Sequence, residues 1–349
     1  MAKSYQEIID YTWSLLEKKR EIFAPLYSEY AQNLIKNREH ISKAVKSIRT
    51  IDVDKYINVD FVDKVKTDKT QVGIDLRYCG RSIATIKVKG EKKILSIKPT
   101  ANTFFPKEEK IVFPVNEKNK KMVKTVQWDS KEATSFRKNF KNRPKAINNE
   151  HYYESQWLKN LEKKSSTGKA LCNIQPIKYA GCRIQFPSFI SAKDAHNDII
   201  KISIKKDGKP AHGGGIDILA TRKRGNIPYL SIVELKNDGD NSKEKPEDAI
   251  KQAIAYATFI DYILRDKNDE KAVVTSENWQ KIFNIKTMKR KKTLFAVINT
   301  PIGKYNEKDF ANTELVFPSG DKLKLHYIYF DKSELENGTL TKKDIISSL

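Results

Sequence analysis

The spacing of apolar residues along the chain changes within its first hundred residues. Over residues 5–20 and 24–48, apolar side chains recur every three or four positions, which predicts two amphipathic helices. From Gln71 to Pro99 the spacing changes to two, with β-branched residues in the apolar positions and Gly80 and Gly90 between the runs. This part of the chain is therefore predicted to form two helices followed by a small antiparallel sheet.

A domain boundary is predicted around Pro144, because the residue before a proline disfavours helix and a new helical pattern begins just beyond it. We therefore expect an N-terminal α+β module at residues 1–145 and a second domain at residues 146–349. The pattern of the second domain predicts, in order, a helix at 147–164, strands at 171–178, 182–189, 198–206, 214–222 and 228–236, a helix at 246–265, a helical segment at 276–285, and strands at 293–299 and 323–330. Interleaved helices and strands of this kind predict an α/β fold with a mixed central sheet flanked by helices.

Basic side chains greatly outnumber acidic ones, and the formal net charge is +22 over 349 residues. Residues 1–150 hold 32 Lys or Arg and 19 Asp or Glu, a net of +13, and residues 151–349 contribute the remaining +9. A polyanion is the expected partner, because Lys and Arg side chains at phosphates release condensed counterions. The sequence has neither a run of roughly 20 apolar residues nor the pattern of a secretory signal. A cytoplasmic protein without membrane contact is expected.

The segment from Lys118 to Lys145 holds ten Lys or Arg residues and only two acids. Its aromatic residues lie among the basic ones, a mixture that suits a nucleic-acid groove because cations meet phosphates and rings stack on bases. A solvated basic linker with a few anchoring aromatic residues is the alternative interpretation, and the sequence favours neither. The predicted nucleic-acid contacts of this segment are Lys120, Lys121, Lys124, Arg137, Lys138, Lys141 and Arg143.

Candidate catalytic residues lie further along the chain, where two apolar runs flank a short polar turn. The two runs are Ile216–Ala220 and Tyr229–Leu235. This pattern predicts a β-hairpin with Asp217 in one strand and Glu234 in the other. Because side chains alternate across a strand, Glu234 and Lys236 share a face, and an in-register hairpin brings Asp217 to the same place. Two carboxylates beside a lysine can bind Mg²⁺ and serve an attacking water, as hydrolysis of a phosphodiester requires.

Asp217, followed by Glu234-Leu235-Lys236 on the next strand, resembles the active-site signature of the PD-(D/E)XK nuclease superfamily, which includes restriction endonucleases and RecB-like nucleases. The resemblance implies a restriction-endonuclease-like core and a Mg²⁺ ion, with Mn²⁺ as a substitute, bound by Asp217 and Glu234. It also implies a further metal ligand from the main chain of Leu235 and a catalytic role for Lys236 toward the attacking water. The resemblance covers roughly residues 147–300 and departs from the pattern at Ile216, where the motif has proline.

Two predicted helices extend the resemblance. Gln252 and Tyr256, which share one helical face, are similar to the Gln-x-x-x-Tyr motif of RecB-like members, where both side chains support the catalytic site or contact the DNA backbone. Glu154 resembles the acid that an earlier helix adds to the metal site, and Glu150 is a competing choice on the same segment. The predicted order of helix, three strands, helix and strand is that of the superfamily core.

These features lead to the hypothesis of a Mg²⁺-dependent nuclease, an endonuclease acting on DNA in preference to RNA, for which double-strand cutting would favour a homodimer. A nucleic-acid-binding protein that retains a nuclease-like fold without cutting is the first alternative. A structural protein whose basic surface meets an acidic partner is the second, and it would show no preference for nucleic acid. At the residue level, the structural alternatives are that Glu234 and Lys236 pair only with each other and that Gln252 and Tyr256 are ordinary residues of a half-buried helix.

Overall fold

The computed structural model of the protein describes residues 4–48, 57–59, 71–89, 91–104, 124–141, 150–162, 171–184, 186, 188–190, 215–224, 227–236, 246–266, 270–285, 292–303, 311 and 313–349. Within these residues the helices are α1 (Tyr5–Lys36), α2 (Arg38–Ile48), α3 (Lys131–Lys141), α4 (Glu150–Glu162), α5 (Pro246–Arg265), α6 (Glu270–Ile282) and α7 (Lys332–Asn337). The strands are β1 (Ile57–Val59), β2 (Gln71–Tyr78), β3 (Arg81–Lys89), β4 (Lys92–Ile97), β5 (Lys124–Gln127), β6 (Ile174–Pro176), β7 (Lys178–Tyr179), β8 (Cys182–Ile184), β9 (Ile218–Arg224), β10 (Ile227–Leu235), β11 (Thr293–Pro301), β12 (Glu314–Val316), β13 (Lys322–Phe330) and β14 (Ile345–Ser347). The predicted α/β class is therefore confirmed.

Several elements predicted for the second half of the chain are confirmed, although some begin or end at different residues. The helix predicted at 246–265 is α5, and the strand predicted at 323–330 is β13. The strand predicted at 214–222 begins only at Ile218, and the strand predicted at 198–206 lies outside the described residues. The short elements β12, β14 and α7 were not predicted, because three to six residues are too few for a periodic pattern.

The first helix differs from the sequence-based prediction of two helices separated near residue 22. α1 continues without a break from Tyr5 to Lys36, with Pro25 inside it. A proline in a helix interior removes one backbone hydrogen bond and costs about 3 kcal/mol. Burial on both sides of the proline offsets this cost, since Phe23 and Tyr27 are each 1% exposed and the ring centroid of Phe23 lies 4.6 Å from that of Phe189.

Contacts between Cα atoms divide the chain into two compact units. Unit 1 comprises Met1–Ile35, Gln156–Ile177 and Phe186–Leu349, and unit 2 comprises Lys36–Ser155 and Lys178–Gln185. This grouping differs from a linear division at residue 145, because nearly all of α1 belongs to unit 1 and the division passes through α4 after Ser155. Residues at the two ends of the sequence therefore share one core.

The sheet of unit 1 is mixed, as the sequence predicts. Among the described residues its strand order is β12-β13-β11-β10-β9-β6, with β14 also paired to β13. Strands β10, β11 and β13 are parallel to one another, whereas β9 pairs antiparallel with β10. The central strand β11 is buried from its second residue to its last. Parallel strands covered on both faces need such continuous apolar runs.

Helix α5 packs against β10 and β11, and its residues from Ala249 to Leu264 are almost all buried. A helix that is apolar on all sides is expected in the interior of a protein. No helix of the described residues, α5 included, combines the length and the hydrophobicity that crossing a membrane requires.

Buried charges anchor the C-terminal end of α5. The guanidinium of Arg265 donates two hydrogen bonds of 2.7 Å to the carboxylate of Asp321, which is 0% exposed. The hydroxyl of Ser319 donates to Asp261 Oδ2 at 2.6 Å, and burial beside the Asp321 carboxylate raises the pKa of Asp261 well above its ordinary value. These contacts fix α5 to the turn before β13, about 20 Å along the helix axis from Gln252.

Seven strands of the described residues form the sheet of unit 2, in the order β5-β4-β3-β2-β1-β8-β7. The predicted antiparallel sheet is therefore confirmed for the segment from Gln71 to Pro99, which forms β2, β3 and β4. The turn between β2 and β3 contains Gly80 with a φ of +76°, and a Cβ there would lie 1.9 Å from the carbonyl oxygen of His151. Only glycine fits this approach of the two backbones.

We predict that Arg265→Leu destabilises the protein by about 3–5 kcal/mol, because it leaves the Asp321 carboxylate buried without its cation. Urea denaturation monitored by circular dichroism measures the change in the free energy of unfolding. Lys322→Gln is the matched control, since it removes the cation of an exposed ion pair with Glu314 and should have little effect. A loss of less than about 1 kcal/mol in Arg265→Leu would contradict the anchoring role.

We predict that Asp261→Asn makes the protein more stable at neutral pH. Because the folded state raises the pKa of Asp261, the unfolded state loses its proton first as pH rises above the ordinary value of 3.8, so the free energy of unfolding of the wild type decreases through that window. The asparagine variant has no such dependence, and its advantage should shrink as pH falls toward 4. Asp248→Asn, on the same helix, removes a carboxylate that pairs with Lys251 and should not stabilise the protein. Equal or lower stability of Asp261→Asn at pH 7 would refute the prediction.

Candidate active site

The two acids singled out from the sequence lie on neighbouring strands of the unit 1 sheet. β9 and β10 pair with Ile218 opposite Val233, so the position of Asp217, one residue before β9, falls opposite Glu234. Asp217 Oδ2 accepts a hydrogen bond of 2.8 Å from the backbone N–H of Leu235. The hairpin is therefore in the register that brings both acids to facing positions.

Lys236 is the centre of the cluster. Its Nζ donates to Glu234 Oε1 at 3.0 Å and to Gln252 Oε1 at 3.2 Å. Its backbone N–H donates to the carbonyl of Asn299 at 2.8 Å, which continues the pairing of β10 with β11. The side chains of Lys236 and Glu234 are only 9% and 5% exposed. Removing two charges from water costs several kcal/mol per ion, which their attraction offsets only with additional hydrogen bonds such as the one that Gln252 Oε1 accepts from Lys236.

Helix α5 supplies the amide to this cluster. Gln252 is 7% exposed and Tyr256, one turn further along, is 4% exposed. The small residues Ala249 and Ala253 on the same helix are fully buried, which allows α5 to lie close to the strands. The structure thus brings Gln252 to Lys236, and Tyr256 lies on the same buried helical face.

The donor chemistry of Asp217 and Glu234 fits a hard divalent cation. Mg²⁺ is usually held by one or two carboxylates together with waters and substrate phosphate oxygens. In the described residues, no group of three or more His, Cys, Asp or Glu side chains is arranged to hold a metal. A role of Asp217, Glu234 and the main chain of Leu235 as metal ligands stays a prediction.

Glu154 is found in unit 2, in the N-terminal part of α4. Its carboxylate lies 3.8 Å from Arg77 Nη1 and 3.8 Å from His151 Nδ1. These contacts are within unit 2, whereas Asp217, Glu234 and Lys236 belong to unit 1. A role of Glu154 as an additional metal ligand stays a prediction.

The structure describes only part of the predicted basic segment. Lys120, Lys121 and Arg143 lie outside the described residues, and Lys124 and Lys141 are the end residues of β5 and α3. Arg137 lies over the ring of Trp128, 4.3 Å from its centroid, and donates to the Trp128 carbonyl at 2.8 Å. The described aromatic residues, Trp128, Phe136 and Phe140, are buried and anchor α3, whereas Lys138 is exposed. The nucleic-acid role of this segment stays a prediction.

Two polar residues near the cluster were not found from the sequence. Asn299 and Thr300 are 1% and 0% exposed, and among the described residues their side-chain oxygens Oδ1 and Oγ1 have no hydrogen-bond partner. Glu234 pairs with Ile298 in the parallel register of β10 and β11, so Thr300 shares the face of Glu234 and Lys236. In the sequence, these residues could have been recognised as a polar pair that interrupts the apolar run of β11.

No protein-family model, no curated protein and no solved structure matches this chain.

We predict that Glu234 and Lys236 are energetically coupled. Lys236→Met should destabilise the protein by about 3 kcal/mol, because it leaves a buried carboxylate without its cation, while adding Glu234→Gln should recover part of that loss. Urea denaturation of the two single variants and the double variant, in EDTA, gives the coupling energy, expected at about 1–3 kcal/mol. The more exposed Asp248–Lys251 pair is the matched control and should show less than about 1 kcal/mol. Additive single losses at Glu234 and Lys236 would refute the coupling.

Proposed function

We propose that the protein is a Mg²⁺-dependent nuclease with a PD-(D/E)XK-like, restriction-endonuclease-like core, which hydrolyses phosphodiester bonds in DNA in preference to RNA. The observation that carries the proposal is the Lys236 ammonium held between Glu234 and Gln252, with the Asp217 carboxylate bonded to the intervening Leu235 amide. A buried structural ion pair also needs a further hydrogen bond such as the one with Gln252, but it does not need a second acid at the facing position. The ion pair of Glu234 and Lys236, the Gln252 amide and the Asp217 carboxylate on the Leu235 amide thus lie at adjacent positions among apolar residues.

Each residue has a defined role in this proposal. Asp217 and Glu234 would hold the cation, with the main chain of Leu235 as a further ligand. A bound Mg²⁺ or Mn²⁺ would supply Lewis-acid polarisation of the phosphoryl oxygen and lower the pKa of its water. Lys236 orients the attacking water and offsets negative charge that develops on the phosphate, because its ammonium is already fixed in place. Gln252 is a positioning residue, since it acts through Lys236.

The order of elements supports the proposal. Among the described residues, helix α4 is followed by β6, β9 and β10 of one sheet, with β7 and β8 of the unit 2 sheet between β6 and β9, and then by α5, α6 and the parallel strand β11. With β7, β8 and α6 set aside, this matches the order of helix, three strands, helix and strand that the resemblance implies. The net charge of +22 favours a polyanionic substrate. Because each chain has one such site, cutting both strands of a duplex favours a homodimer.

Cleavage of supercoiled plasmid in Mg²⁺ tests the proposal. The wild type should cut, and Asp217→Asn, Glu234→Gln and Lys236→Met should each reduce the rate at least about 100-fold, because each removes a cation ligand or the group that serves the water. Glu314→Gln is the matched control, since it neutralises an exposed glutamate that also pairs with lysine and should cut like the wild type. Linear duplex, single-stranded DNA and RNA in parallel reactions give the substrate preference.

Thermal denaturation provides a second readout that does not depend on cleavage. Mn²⁺ should raise the Tm of the wild type and of Glu314→Gln but not of Asp217→Asn, because a ligand that binds only the folded state stabilises it. Full cleavage by Glu234→Gln would reject the assignment of the site. Salt-sensitive DNA binding without cleavage, and without an effect of Mn²⁺, would instead identify a non-catalytic nucleic-acid-binding protein.

A further inference from the structure

The sheet of unit 2 has one apolar and one polar face. In β2, β3 and β4, alternate residues are buried and apolar, namely Ile74, Leu76, Ala84, Ile86, Leu95 and Ile97. Helix α3 packs on this apolar face, since Tyr78, at the end of β2, has its ring centroid 5.0 Å from that of Phe140. The intervening residues form the opposite face, and they are predominantly polar.

One end of the polar face is occupied by a network of ion pairs. Asp75, which is 4% exposed, accepts from Lys98 Nζ at 2.9 Å and from Arg77 Nε at 3.0 Å, and it also accepts from the Ser82 hydroxyl. Glu154 of α4 lies beside Arg77. The charges at this end are therefore balanced within unit 2, and they need no external ligand.

The other end carries lysines with no such balance. Lys89 lies directly opposite Lys92 in the β3–β4 register, and Lys87 precedes Lys89 by two residues on the same face. Lys89 and Lys92 are exposed and Lys87 is half-buried. None of the three forms an ion pair among the described residues. Like charges at directly opposite positions destabilise a sheet, so the folded chain gains nothing from them by itself.

We propose that Lys87, Lys89 and Lys92, which we call the lysine patch, bind the sugar-phosphate backbone of the nucleic-acid substrate. The inference rests on the proposed function and deepens it, because it assigns a substrate-binding surface to unit 2. Phosphates supply the negative charge that the patch lacks, and each contact releases a counterion. On the adjacent edge strand β5, the exposed residues Thr125 and Gln127 add hydrogen-bonding groups on the same face.

The surroundings of the patch favour nucleic acid over a membrane or a protein partner. The large hydrophobic side chains that are exposed among the described residues, Tyr11, Ile22, Ile302, Val316 and Ile346, all belong to unit 1. A protein interface is expected to have an apolar core, and an interfacial membrane contact needs inserted apolar groups. The described surface of unit 2 offers lysines and other polar side chains instead, and the exposed acids nearest to the patch, Glu91 and Asp129, form no ion pair with its lysines among the described residues.

The lysine patch is distinct from the basic segment that includes α3. Helix α3 packs on the apolar face of the sheet, whereas Lys87, Lys89 and Lys92 lie on the polar face. Variants in the patch therefore leave Arg137 and Lys138 unchanged, and the two surfaces can be tested separately.

The test measures binding of a fluorescein-labelled 30-base-pair duplex by fluorescence anisotropy, in EDTA, over a range of salt concentrations. The triple variant Lys87→Gln/Lys89→Gln/Lys92→Gln should reduce the slope of log K against log salt by up to about 2.7, and the affinity at 0.15 M salt by roughly 100-fold. The control variant Lys18→Gln/Lys19→Gln/Lys281→Gln removes the same charge from exposed lysines of unit 1 that have no described ion pair. Its slope should match that of the wild type.

Further variants and measurements distinguish binding of nucleic acid by the lysine patch from the alternative explanations. The triple arginine variant of the patch should retain the wild-type slope, and the Tm of the glutamine variant should stay equal or rise, because like charges have been removed. Wild-type slope in the patch variant, or equal slope reductions in patch and control variants, would overturn the inference. So would loss of binding to vesicles containing 30% phosphatidylserine with unchanged DNA binding. Absence of plasmid cleavage by the wild type would reject the proposed function, whereas the binding slopes would still report on the patch.

Discussion

The antiparallel register of β9 and β10 is the constraint on which the candidate site depends. Side chains alternate across a strand, so a slip of one residue would move Glu234 and Lys236 away from the facing position of Asp217. Both faces of β10 are buried, with Leu230 and Ile232 on the face of Glu234 and Val233 and Leu235 on the other, so a slip would disrupt the packing of both faces. The packing of β10 in the core therefore also fixes the positions of the acids.

A polar cluster in this position carries a cost. Glu234, Lys236 and Gln252 are all buried, and apolar residues of similar volume are often as stable as a buried ion pair. Anchoring at the far end of α5 through Arg265 and Asp321 allows the helix to present Gln252 at a fixed place. The buried Arg265–Asp321 pair thus holds the C-terminal end of α5, and the same helix contacts Lys236 through Gln252.

The sheet of unit 2 also combines an apolar face, which contributes to the core, with a polar face that carries charged side chains. Helix α3 packs on its apolar face, and the charges at one end of its polar face are balanced by Asp75 and Glu154. At the other end Lys89 and Lys92 are exposed and Lys87 is half-buried, all with the same charge. If unit 1 cuts nucleic acid, these lysines provide contacts with the backbone that carry no sequence information, because phosphates are alike along the chain. In that case the net charge of +22 serves to attract the polyanionic substrate and does not determine the fold.

The sequence by itself determined the features that depend on local periodicity. The hairpin with Asp217 and Glu234, the helix from Pro246 to Arg265 and the apolar strands of a mixed sheet follow from alternation at two residues or at three to four, since these periods decide which side chains share a face. Tertiary structure decided the rest. It placed α1 with unit 1, carried α1 through Pro25, and brought the backbone carbonyl of Asn299 to the Lys236 amide and Thr300 to the face of Glu234 and Lys236. Such contacts join residues far apart in sequence, so they depend on which faces pack together rather than on any local pattern.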